Sequence, residues 1–176
     1  MKKLLLLIAS LSLVLAACSG DKEEKKDTTT EGTKTSEEKV NPAGDMMKFY
    51  LSISQSINAV DADLNAYENV GTLEVPPKDA ELKKMQDAAR IAAANAAVKV
   101  EELEVPAELK DHQETIDSAL NKMQEAYTMK SDALAAEGEV VLDEANAKFE
   151  EADAELNKVL EEVGLAGSSI ASEVAQ

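Results

Sequence analysis

From Met46 onward the large apolar side chains fall at Met46, Tyr50, Ile53, Ile57, Val60, Leu64 and Tyr67, in steps of four and three residues. That spacing keeps them on one stripe of a helix and predicts a helix over 45–71. A second stripe, Leu82, Met85, Ala89, Ala92, Ala96 and Val100, predicts a helix over 77–102 with alanine at its middle layers, where a neighbouring helix can come close. The third runs Leu109, Ile116, Leu120, Met123, Tyr127 and Leu134 (helix 106–137), and the fourth Leu142, Ala145, Phe149, Ala152, Leu156, Val159 and Val163 (helix 139–163). Strand-like alternation is absent between 45 and 164. Helices of similar length joined by short connections lie antiparallel. The expected fold is therefore all-α, an up-down antiparallel four-helix bundle over 45–164, followed by a loose tail, 165–176.

The connections carry their own signals. "LEVPPKDAELK" at Leu73 and "LEVPAELK" at Leu103 place proline before a helical stripe. Proline is tolerated in a first helical turn and drives the preceding residue to extended backbone, so Val75 and Val105 are expected extended, with Pro77 and Pro106 opening helices. Asp79, Glu81, Glu108 and Asp111 then lie near positive helix ends. The repeat is a joint used twice. The third joint carries Gly138, which suits a helix end near Glu137; Gly164 and Gly167 close the last helix.

The amino terminus breaks this pattern. "MKKLLLLIASLSLVLAAC" sets two lysines before an uncharged apolar run from Leu4 to Ala17, the arrangement of a secretory signal peptide, 1–17. Its end, "LAAC" at Leu15 to Cys18, resembles the lipobox of bacterial lipoproteins. The resemblance implies diacylglyceryl modification of the Cys18 thiol, cleavage just before it, and a stable anchor, since two acyl chains of the palmitate kind hold where one is marginal. Cys18 is the only cysteine, so an internal disulfide is excluded.

Residues 19–44 hold Val40 as their one large apolar side chain, too little to offset the entropy of ordering, and 18–44 is expected to be a disordered tether. Its 26 residues after Cys18 would span about 25 to 30 Å as a coil. The Lys, Glu and Thr composition resembles tethers of lipoproteins from low-GC Gram-positive bacteria. "VPAELKDH", Val105 to His112, resembles helix starts in small helical-bundle lipoproteins of that group. Charge divides sharply: residues 1–44 hold seven lysines and seven acids, and the rest of the chain holds 11 Lys and Arg against 28 Asp and Glu, so the net −17 falls on the helical part. Such a surface repels nucleic acid and anionic lipid and attracts basic protein surfaces or cations.

Chemistry for catalysis is thin. His112 is the only histidine, which excludes a two-histidine metal site and leaves a boundary histidine or a pH-sensitive contact at a bundle end. Asp61, Asp63 and Asn65 have the spacing of a calcium loop, but the glycine and the closing glutamate it needs are Ala66 and Thr72, so the stretch is read as a solvated helix face. Acidic clusters at Glu150, Glu151, Asp153 and Glu155, and at Glu101, Glu102 and Glu104, lack the Glu-x-x-His partner of a bundle metal centre. No catalytic residue, metal site or cofactor is expected. The expected function is a non-enzymatic, membrane-anchored extracytoplasmic protein-interaction or cell-envelope module, attached through lipid on Cys18. Its partner would present a basic surface, with Tyr50, Tyr67 or Tyr127 as candidate anchors. The alternative is a small-ligand or divalent-cation binder using space beside Ala89, Ala92 and Ala96.

Overall fold

The computed structural model describes residues 41–175. The expected signal peptide, Cys18 and nearly all of the expected tether lie outside the described residues. Within them every regular element is helical: α1 (Pro42–Asn58), α2 (Ala62–Glu68), α3 (Asp79–Glu101), α4 (Gln113–Ala135), α5 (Asp143–Glu162) and α6 (Ile170–Val174), with 3-10 turns at Asn69–Thr72 and Ala107–His112. The chain is all-α, and no described helix is long and apolar enough to cross a membrane.

α4 is the central element, packed on α3 along one side and on α5 along another. α4 and α5 run antiparallel: Lys122 Nζ meets Glu155 Oε1 at 2.9 Å, and Lys148 Nζ meets Glu125 Oε2 at 2.8 Å, so partners descend one helix as they ascend the other. α3 also opposes α4, since Gln86 Nε2, early in α3, donates to the Leu134 carbonyl, late in α4, at 2.8 Å. The face α3 turns inward is alanine, with Ala89, Ala92, Ala93, Ala96 and Ala97 all buried. Alanine loses no rotamer freedom on burial and lets helix axes approach, while Ile116, Leu120, Met123 and Tyr127 of α4 supply bulk. The four stripes of the sequence are buried or half-buried at every position.

Several boundaries differ from the sequence expectation. The first helix does not run unbroken over 45–71. It starts at Pro42, where the Asn41 side chain accepts from the Gly44 amide at 3.2 Å, and it stops at Asn58. The backbone turns through 59–61 and α2 begins after Asp61. α3 opens at Asp79 rather than Pro77, with Lys78 in extended backbone as its cap. Pro106 opens a 3-10 turn, not an α-helix. Gly138 takes a left-handed φ of 105° and separates α4 from α5. Gly164, with φ 85°, ends α5 in a Schellman motif: Leu165 N–H donates to Leu160 O and Gly164 N–H to Glu161 O.

The largest departure is the tail. Residues after Gly167 are not loose but form a strap on the domain. Asn157 Oδ1 accepts from the Ser168 amide (2.8 Å) and Asp153 Oδ1 from the Ile170 amide (2.7 Å), while the Asn58 and Asn65 amides donate to the carbonyls of Glu173 and Val174. Ile170 is 0% exposed and Val174 6%. Truncating a buried isoleucine leaves a cavity, so Ile170→Ala should lower the unfolding free energy by about 2 to 4 kcal/mol in urea titrations. A change below a few tenths would return this segment to the loose-tail reading.

Candidate functional site: buried charges beside an apolar end

α2 continues the stripe of α1, and that register puts Asp61 four residues after Ile57 and three before Leu64, on the buried side. Asp61 is 2% exposed, so the solvated-face reading of this stretch fails for it. Asp63 is exposed, and the two carboxylates do not converge as calcium ligands. On α4, Lys130 sits one turn beyond Tyr127 and only 8% of it is exposed. Its ammonium reaches Glu68 Oε1 at 2.7 Å and lies 6.0 Å from the Tyr127 ring centroid.

Buried Asp61, Tyr127 and Lys130, with Glu68 at the surface, thus form one polar cluster between α2 and α4. Burial pushes the Tyr127 phenol far above its usual range and the neighbouring Asp61 and Glu68 carboxylates push the same way, so it stays a neutral hydroxyl. Burial also raises the Asp61 carboxyl; hydrogen bonds from its own backbone amide and from Asn65 oppose that rise, as does Lys130, while Glu68 adds to it. Asp61 Oδ2 accepts no hydrogen bond among the described residues.

Next to the cluster lies a cavity of ≈ 260 Å³ closed by α6. Tyr127 and Phe149 meet edge-to-face on its wall, centroids 5.4 Å apart at 82°. A second, more open groove of ≈ 490 Å³ occupies the end of the domain where the 69–72 turn meets the joint before α5. Its walls are Tyr67, Val70, Leu82, Val140 and Leu142. The joints framing it carry apolar side chains in water: Leu73 is 49% exposed, Val75 80% and Val141 60%. Segments 68–81 and 136–146 carry eight carboxylates and one cation, Lys78.

The other expected residues are dispersed. Ala89, Ala92 and Ala96 are buried in the α3 contact and line neither the cavity nor the groove. Of the tyrosines, Tyr50 and Tyr127 are buried and offer no anchor; Tyr67 is half-buried at the groove. Glu151 and Glu155 bind Lys122, Asp153 holds the strap, and Glu150 lines the cavity, so that run serves three separate contacts. Glu101, Glu102 and Glu104 are exposed, with Glu102 paired to Lys99 at 2.6 Å. His112 Nδ1 lies 3.1 Å from Glu162 Oε2, tying the start of α4 to the end of α5. Among the described residues no group of three or more His, Cys, Asp or Glu side chains is placed to hold a metal ion. No family model, curated protein or solved structure matches this chain.

The cluster makes a pH-dependent demand on stability. Folding raises the Asp61 pKa, so the folded protein binds that proton more tightly than the unfolded chain. Its contribution therefore falls as pH rises through the window above the ordinary aspartate value. Asn also suits a helix N-cap. Asp61→Asn should thus stabilise the protein at pH 7 by on the order of 1 kcal/mol, with the gain vanishing near pH ~4 in paired melts. Destabilisation at pH 7 would show that Lys130 needs the ionised carboxylate.

Proposed function

We propose that the protein is a lipid-anchored, extracytoplasmic, non-enzymatic module that docks a partner protein at the apolar end of its helical domain. The observation that carries this reading is the groove walled by Tyr67, Val70, Leu82, Val140 and Leu142, between two joints that also expose Leu73, Val75 and Val141. Met47 and Leu51 on α1 and Ile91 and Val98 on α3 are exposed singly, whereas here an apolar groove and exposed apolar side chains on both adjoining joints coincide, the combination that marks a contact that excludes water. The carboxylate rim specifies the occupant: a protein segment with apolar residues at its centre and Lys or Arg at its edge, steered by the domain's negative field.

The position of the groove agrees with anchoring. α1 leads away from the 107–112 turn that it contacts, and α2 finishes beside Lys130 near the far end of α4. The groove therefore lies at the opposite end from Pro42, where the tether would join. In this reading α1 and α2 act as one broken rod, which with α3, α4 and α5 makes the four-helix bundle. Lipid on Cys18 supplies the membrane attachment, as the lipobox at Leu15 to Cys18 suggests. Catalysis has little support, since the chain's lone histidine is engaged by Glu162.

A photo-crosslinking residue at position 75 or 141 in living cells should capture the same partner, through a segment mixing basic and apolar residues. One placed at Glu101, near the other end, should not. Val75→Asp with Val141→Asp should cut capture about tenfold while leaving the melting temperature within about 2 °C, because both sites are exposed. Cys18→Ala should release the protein to the medium or leave it unprocessed. Equal capture from all three positions would refute docking at this end, and unchanged membrane retention of the Cys18 variant would refute the anchor.

A further inference from the structure

The cavity under α6 differs in kind from the end groove. It is half enclosed, and its wall mixes aromatic faces with carboxylates. Leu64, Tyr127 and Phe149 form the apolar side, and Ala171 and Val174 of the strap close it. The charged groups lining it are Glu68 from α2, Lys130 from α4 and Glu150 from α5, and Asp61 acts electrostatically on Tyr127.

We propose that this cavity binds a small organic ammonium ion, a primary or methylated amine carrying a short apolar chain. The site already holds one ammonium in this manner: Lys130 Nζ lies 2.7 Å from Glu68 Oε1 and within reach of the Tyr127 ring. That pairing leaves Glu150, an exposed carboxylate, as the unmatched charge lining the cavity whose wall Tyr127 and Phe149 also form, a mix of carboxylate and aromatic side chains that favours a second cation. An anion finds no free cation, because Lys130 is the only one lining the cavity and Glu68 holds it. A bare divalent ion lacks converging ligands, since Glu68 and Glu150 stand on different helices and no cluster of three metal-binding side chains occurs among the described residues. The cavity of ≈ 260 Å³ suits a ligand below drug size, and its apolar wall takes the chain of the amine.

The strap makes the site conditional. Asn65 donates to the Val174 carbonyl at 2.7 Å and itself lines the cavity, so α6 must be docked for the wall to be complete. Glu68 and Asn146 line both this cavity and the end groove, yet the two sites take different occupants and either can exist without the other.

The test is calorimetric titration of the purified full chain with n-butylammonium, butyrate and n-butanol in turn, at physiological salt to suppress diffuse attraction to the acidic surface. Saturable one-to-one binding of n-butylammonium is expected, at least about tenfold tighter than either isostere. Glu150→Gln should weaken it about fivefold and Glu101→Gln, the same charge change elsewhere, should leave it unaltered. Ala171→Phe should abolish it by filling the cavity. Should that variant fail to fold, Phe149→Leu, which keeps apolar bulk and loses the ring, should weaken the amine and leave n-butanol unchanged. Absence of saturable binding, equal binding of n-butanol, or binding indifferent to Glu150 and to the cavity variants would overturn the proposal. The titration contains no partner protein, so its failure leaves docking at the end groove untouched.

Discussion

The close seating of α4 against the alanine face of α3 is the contact on which the rest of the domain depends. Five buried alanines bring α3 near enough that the bulk of Ile116, Leu120, Met123 and Tyr127 fills the interior from one side. With only five aromatic residues in the chain, little else could fill a wider gap. The same closeness fixes which layers of α4 meet α2 and α5, and so sets Lys130 beside Glu68 and Tyr127 beside Phe149. A larger side chain in the middle of α3 would therefore disturb the charge cluster as well as the core.

A net charge of −17 on such a domain is a standing repulsion, and the ion pairs are arranged against it. Lys122 and Lys148 join α4 to α5 through Glu151, Glu155 and Glu125, and Lys130 joins α4 to α2. The exposed pairs contribute little each. The Lys130 pair is of another kind, because Lys130 is buried and losing Glu68 would strand its charge; it selects one register between α2 and α4. Asp61, with one carboxylate oxygen unpaired, lies on the costly side of the same arrangement.

The helical stripes were legible because heptad spacing reports burial directly. The stripe positions from Met46 to Leu64 and from Leu109 to Leu134 are buried almost without exception. What spacing could not report was polarity placed on the stripe. The third stripe jumps seven residues from Tyr127 to Leu134, and Lys130 occupies the skipped turn; Asp61 instead lies next to the stripe residue Val60, four residues after Ile57 and three before Leu64. A charge in the skipped turn of one stripe and another beside the apolar positions of a second were the available signal of buried polarity between helices. The strap was hidden for a different reason. Five residues of helix are too few to show a period, although Ser169, which caps it, and Ile170 and Val174, four apart, carry the pattern in miniature. Its docking depends on side chains of distant helices, Asn58, Asn65, Asp153 and Asn157, which no local reading connects.

Placing a charge cluster, a strap and an apolar end within one region has a mechanical consequence. Glu68 belongs at once to the Lys130 pair, to the wall of the cavity and to the groove, and Asn146 faces the cavity and the groove from α5. A side chain held by Lys130 on one side cannot turn toward the groove on the other without breaking a 2.7 Å contact, so the groove wall and the cluster draw on the same carboxylate. A cation entering the groove would therefore compete with Lys130 for one acidic group, and such competition would need no change of fold.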